Sequence, residues 1–205
     1  MSEAALTDAT ALPGWFGKVP ALGDFASRRL PDAFVQRWDR WLQRGLSRVR
    51  SELGEAWLDA YLVAPILRFW LGPGVLGASG WAGLLMPSVD RVGRHFPLTI
   101  AQPLDPLAAA LAAREWFHAL DGAARKVLDV DFTVEDLERE LAAIAPPDEC
   151  AGEADERLAA QLHAGFERDA FSVWWRDEAG PCSTFQCFPT LPPAPAFVSL
   201  IAEMP

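Results

Sequence analysis

Leu84 to Leu98 reads LLMPSVDRVGRHFPL, two apolar runs joined through a proline, a short polar turn, two arginines and a histidine. Core-forming residues and polar specialists are interleaved so closely that the stretch is either a site or a tightly constrained corner. The residues read as strand–turn–strand. Pro87, Ser88, Asp90 and Gly93 shape the turn, Ser88 and Asp90 by bonding their own backbone amides. Arg91 and Arg94 are three apart, which lets them present two guanidinium forks to a carboxylate or phosphate, or pair with acids such as Asp24 or Asp90.

The segments on either side must pack against this corner. Gly14 to Pro20 is a short apolar run bracketed by glycine and proline and reads as a first strand. The loop Ala21–Phe25 follows, with Gly17, Pro20 and Gly23 as turn residues and Gly23 free to take positive φ. Lys18 and Asp24 flank this strand end, as a local ion pair or as part of a site. Pro31-Asp32 opens a helix whose Phe34, Trp38, Trp41, Gly45 and Val49 recur at helical spacing. Its other face carries Arg37, Arg40, Arg44 and Arg48, either a solvated stripe or a surface for phosphate or acidic protein. Ser51 is expected to cap a second helix that Pro65 ends.

Ile66 to Leu71 reads as a strand. The loop after it, Gly72-Pro-Gly-Val-Leu-Gly77, fits G-x-G-x-x-G, but no helix opens at its last glycine to hold a pyrophosphate, and the Walker A lysine is missing. It is read as a strand–loop–strand connection into Trp81–Met86, and Phe96–Gln102 forms a further strand. One helix is expected from Asp105 to near Gly122, and another is capped by Thr133 with Asp136. Residues 146–156 read as an acidic surface loop, and a short helix spans Leu158–Ala164. Phe171–Trp175 and Ser183–Phe188 form a C-terminal β-hairpin around a turn at Asp177–Gly180. The expected fold class is therefore α/β: a single compact layered domain over residues 13–205 with a mixed sheet, preceded by a loose tail at 1–12.

Composition narrows the function classes. The net charge of −10 argues against general nucleic-acid binding. Residues 1–100 carry 11 Lys/Arg against 9 Asp/Glu, whereas residues 101–205 carry 7 against 19. No run is long enough to insert in a membrane, and no secretory signal is apparent, so a cytoplasmic location is expected. Cys150, Cys182 and Cys187, even with His163, lack paired metal-ligand spacing, and no metal or cofactor is implied. Ser88, Asp90 and His95 contain the residue types of a hydrolase triad. The glycines of a nucleophile elbow are absent, and triad members normally arrive from separate loops.

The block Gly14-Trp-Phe-Gly-Lys-Val-Pro-Ala-Leu-Gly-Asp-Phe25 resembles the opening of the TagF family of type VI secretion-associated proteins. The resemblance continues through LPDAFVQRWDRWLQ, GEAWLDAYLVAPILRFWL and WAGLLMPSVDRVGRHFPLTIAQPL, covering residues 13–104 strongly. It implies a compact α/β/α fold and a non-enzymatic cytoplasmic regulator. Such a regulator represses type VI secretion after translation by binding a forkhead-associated (Fha) scaffold protein. No catalytic residues come with the family. Lys18, Asp24, Asp90, Arg91 and Arg94 are expected to form a partner-binding patch at the ends of adjacent strands. The alternatives are a small hydrolase using Ser88, Asp90 and His95, or a structural component of the secretion apparatus.

Overall fold

The computed structural model describes residues 12–147, 150–167, 169–176 and 184–202. The expected tail and the turn at Asp177–Gly180 lie outside these residues, apart from Leu12, as does Cys182. Seven strands form one sheet: β1 (Gly14–Gly17), β2 (Ala26–Arg28), β3 (Leu67–Leu71), β4 (Trp81–Met86), β5 (Leu98–Pro103), β6 (Ser172–Trp175) and β7 (Gln186–Phe188). Their spatial order is β2-β1-β5-β4-β3-β6-β7. Every pairing is antiparallel, so the mixed sheet expected from sequence is corrected within an α/β class that holds. β6 and β7 pair as the C-terminal hairpin.

Helices cover both faces. On one lie α1 (Asp32–Leu53), α2 (Trp57–Leu62) and α7 (Ala194–Ala202); on the other lie α3 (Leu107–Ala112), α4 (Arg114–Lys126), α5 (Val134–Ala143) and α6 (Glu153–His163). Strand alternation assigns the two cores. Leu67, Phe69 and Leu71 of β3 join Phe34, Trp38, Leu42, Leu46 and Phe197. Trp70 joins Leu84, Ile100, Phe117, Leu120 and Leu141 on the opposite face. Because both faces are covered, β4 is buried at all six positions and reads as a continuous apolar run. Gly83 has no room for a side chain, since an added Cβ would lie 2.2 Å from the Ile100 carbonyl oxygen of the neighbouring strand.

α1 is the chief cover of its face. Trp38 is fully buried, donates from Nε1 to Thr99 Oγ1 at 2.7 Å, and lies within 5.0 Å of the Phe69 ring and 4.6 Å of the Trp41 ring, centroid to centroid. Ser51 caps nothing, because α1 runs through it to Leu53. The break falls at Gly54, whose φ of 55° is left-handed, and a single 3-10 turn (Gly54–Ala56) leads into α2. The helix expected from Asp105 to Gly122 is two helices, interrupted at Ala113 and continuing to Lys126. The Thr133–Asp136 capping box forms as expected. Part of the expected 146–156 loop is helical, since α6 starts at Glu153 and the Asp155 carboxylate accepts from the Gly152 amide.

Candidate functional site

The turn between β4 and β5 is a small hairpin held from inside by one carboxylate. Its backbone closes through Asp90 N–H to Arg94 O (3.1 Å), Gly93 N–H to Asp90 O (2.9 Å) and Phe96 N–H to Ser88 O (3.0 Å). Gly93 takes φ 82°, which only glycine adopts without strain. Asp90 Oδ1 accepts from the amides of Val92 (3.0 Å) and Arg94 (2.8 Å), while Oδ2 accepts from Lys18 Nζ and Arg94 Nε, both at 2.7 Å. Burial alone raises a carboxyl pKa. Here the charged donors Lys18 and Arg94 and the two amides outweigh it and hold Asp90 well below the usual carboxylate range.

The first loop is docked on this hairpin. Leu22 N–H closes a tight turn to Val19 O across Pro20 (2.9 Å), and Arg91 N–H donates to Leu22 O (2.9 Å). The Arg94 guanidinium also donates to the Gly23 carbonyl. Gly17, at φ 139°, approaches the Pro97 carbonyl so closely that a Cβ would lie 2.1 Å from its oxygen. Gly23 does not take positive φ, contrary to expectation. An added Cβ there would meet only Arg91 Nη2, at 3.7 Å, so its contribution is its carbonyl.

Two buried polar residues complete the anchor. Ser88 Oγ donates to Lys18 O (2.7 Å) rather than capping its own turn, while its N–H donates to Tyr61 Oη and its carbonyl accepts from Tyr61 Oη, each at 2.9 Å. Burial pushes the Tyr61 phenol up, so it remains a neutral donor and acceptor. His95 lies against the rings of Trp57 (6.0 Å) and Tyr61 (5.8 Å) and bridges to Val89 through its backbone. Ser88 and Asp90 are both committed elsewhere, and neither has a hydrogen bond to His95. The Ser88–Asp90–His95 triad is not assembled. Among the described residues there is no cluster of three or more His, Cys, Asp or Glu placed to hold a metal.

The five residues expected in one outward patch therefore divide. Lys18 and Asp90 are 4% and 3% exposed and face each other, which corrects the expectation that they point to a partner. Asp24, Arg91 and Arg94 are exposed. Two apolar residues that sequence reading passed over join them: Val92 at 65% exposure and Phe25 at 45%. Phe25 packs its ring 4.8 Å from that of Phe96, and Lys18 Nζ lies 4.8 Å from its centroid. Beside them opens a shallow cleft of about 590 Å³ lined by Phe25, Arg50, Trp57, Arg94 and His95, in which the Arg50 guanidinium stacks 4.4 Å from Trp57. The surface combines arginines with exposed apolar groups. Exposure of Val92 and Phe25 was hidden in sequence because each is a single apolar residue in a polar turn or loop, where no hydrophobic periodicity tells burial from exposure.

The Gly72–Gly77 loop has no phosphate cradle. Gly74 N–H bonds Gly77 O (2.6 Å), Val75 N–H bonds Gly72 O (3.1 Å), and β4 follows rather than a helix.

Comparison with known proteins agrees with this architecture. Residues 14–144 match the family model of the TagF N-terminal domain, described as type VI secretion system-associated. The crystal structure of PA0076 from Pseudomonas aeruginosa PAO1 superposes with a TM-score of 0.80 at 36% sequence identity, covering 94% of this chain and 95% of that one. No curated protein matches the chain. The corner that organises the sheet, the loop docked on it and the helices around them are those of a type VI secretion-associated protein, and the chain belongs to the TagF family.

Proposed function

We propose that this protein is a non-enzymatic, cytoplasmic regulator that represses type VI secretion after translation by occupying a forkhead-associated scaffold protein. The contact surface is the outward side of the 87–95 hairpin together with the loop docked on it: Asp24, Phe25, Arg91, Val92 and Arg94. One observation carries the choice of surface. A buried Lys18–Asp90 pair, two amides and Tyr61 hold the turn rigidly. On it are displayed a guanidinium (Arg91) and an aliphatic side chain (Val92), both exposed. A rigid display of apolar and arginine groups loses little entropy on binding. Lys18 and Asp90 act from beneath, by fixing the turn.

The structure also shapes the test. Arg94 binds Asp90 inside the turn, so reversing its charge would disturb the anchor as well as the surface. Arg91→Glu combined with Val92→Asp changes only exposed groups. We expect this double variant to lose capture of the purified Fha scaffold while keeping its thermal midpoint. Full capture by the folded variant would remove the surface from consideration. Capture only by assembled apparatus, in fixed stoichiometry, would favour a structural component instead.

A further inference from the structure

A second surface lies at the other end of β4, on the α1 face. α1 forms one wall of an open groove of about 560 Å³. The other wall is the Thr190–Ala194 segment, pinned by Trp41 Nε1 donating to Pro192 O at 2.8 Å, and Val75 and Leu76 of the β3–β4 loop close one end. Gly45 keeps α1 close to α7 beneath it, since an added Cβ would lie 2.6 Å from the Phe197 ring. Arg37, Arg40 and Arg44 line the α1 wall, all exposed, and no carboxylate among the described residues lines the groove. Arg40 Nε donates to the Gln36 carbonyl, whereas Arg37 and Arg44 form no ion pair among the described residues. Elsewhere on the same helix, Arg48 is matched to Glu52 at 2.8 Å.

We infer that this groove is a docking site for an extended acidic segment of a partner protein. Three guanidiniums stand in a row beside an apolar floor of Trp41, Val75, Leu76 and Leu191, in a protein whose net charge is −10. A local excess of arginine against a strongly acidic whole selects a short acidic ligand, while the remaining surface repels a long polyanion such as nucleic acid. The geometry adds a spacing rule. Arg37 and Arg44 are separated by two helical turns, roughly 10 Å along the axis. Three residues of a polyproline II segment, which is extended and returns to the same face every third residue, span about 9 Å, so carboxylates at positions i and i+3 would each meet an arginine, with an aliphatic side chain between them over the floor. The inference is independent of which protein the hairpin surface contacts.

The test uses the full chain and fluorescein-labelled extended nonapeptides carrying two glutamates around a leucine, spaced i,i+2, i,i+3 or i,i+4, with glutamine counterparts. Anisotropy should show tightest binding for the i,i+3 peptide, falling as salt rises. The glutamine peptide should bind at least tenfold more weakly, and so should the chain carrying Arg37→Glu and Arg44→Glu. If that variant misfolds by circular dichroism, Arg37→Gln with Arg44→Gln removes the same charges without introducing new ones and must show the same loss. Equal binding of the glutamine peptide, unchanged binding by the variants, or no binding at millimolar peptide would overturn the inference. So would a concentration-dependent dimer in sedimentation that the arginine variants abolish while peptides fail to bind, since the occupant would then be a second copy.

Discussion

Replacing Tyr61 with phenylalanine tests whether the hairpin is held from beneath as described. The hydroxyl is fully buried and serves Ser88 twice, accepting from its N–H and donating to its carbonyl, each at 2.9 Å. The two losses are unequal. The carbonyl keeps the Phe96 amide at 3.0 Å as a second partner, whereas the Ser88 N–H has no other acceptor. A buried donor left unpaired costs about 1–3 kcal/mol, and losing one of two donors at a carbonyl costs about 0.5–1, for a sum of about 1.5–4 kcal/mol. In a domain of this size each kcal/mol moves the thermal midpoint by about 2–4 °C, so Tyr61→Phe should lower it by about 3–16 °C. Urea unfolding followed by tryptophan fluorescence gives the free energy, and hydrogen exchange at the Ser88 amide gives the local effect. A loss below about 0.5 kcal/mol, the range of ordinary surface changes, would refute the anchor, as would an unaltered Ser88 exchange rate.

Two glycines separate backbone strain from steric clash. Gly93→Ala meets nothing within 4 Å and pays only for its positive φ, so it should cost about 1 kcal/mol. Gly83→Ala drives a methyl into the β5 backbone and should cost about 3 kcal/mol or prevent folding, and comparable urea midpoints for the two would contradict the sheet packing. The depressed pKa of Asp90 gives stability that is fully present above its unfolded value of about 4 and is lost as pH falls through the folded value beneath it. Asp90→Asn should therefore flatten the fall in urea midpoint between about pH 4 and pH 2.5, and a slope identical to the parent's would discount the linkage. Asp136, held at about 2 mainly by hydrogen bonds from Thr133, is the control: Asp136→Asn should loosen the start of α5 without changing Fha capture.

How much was legible depends on whether the signal is local. The Thr133 cap, the reversal at residues 87–95 and the strand–loop–strand reading of Gly72–Gly77 rest on neighbouring residues, and each stands. The Ser51 cap failed because Ser51 has good capping chemistry, but the helix on which it lies buries Val49 and continues past it to Leu53, ending at Gly54, which takes left-handed φ. Sheet direction was hidden because strands covered on both faces are apolar throughout, whichever way their neighbours run.

The sequence by itself determined the family, the strand–turn–strand corner and the residue types gathered there, because motif order and turn chemistry are properties of contiguous residues. Tertiary structure alone decided their roles. Lys18 and Asp90 are far apart in the chain and both charged, and only the docking of the first loop on the hairpin removes them from water as a pair. Once they neutralise each other beneath the turn, Arg91 and Val92 are left to face outward. An ionic pair that sequence reading assigned to the surface is the support on which that surface stands.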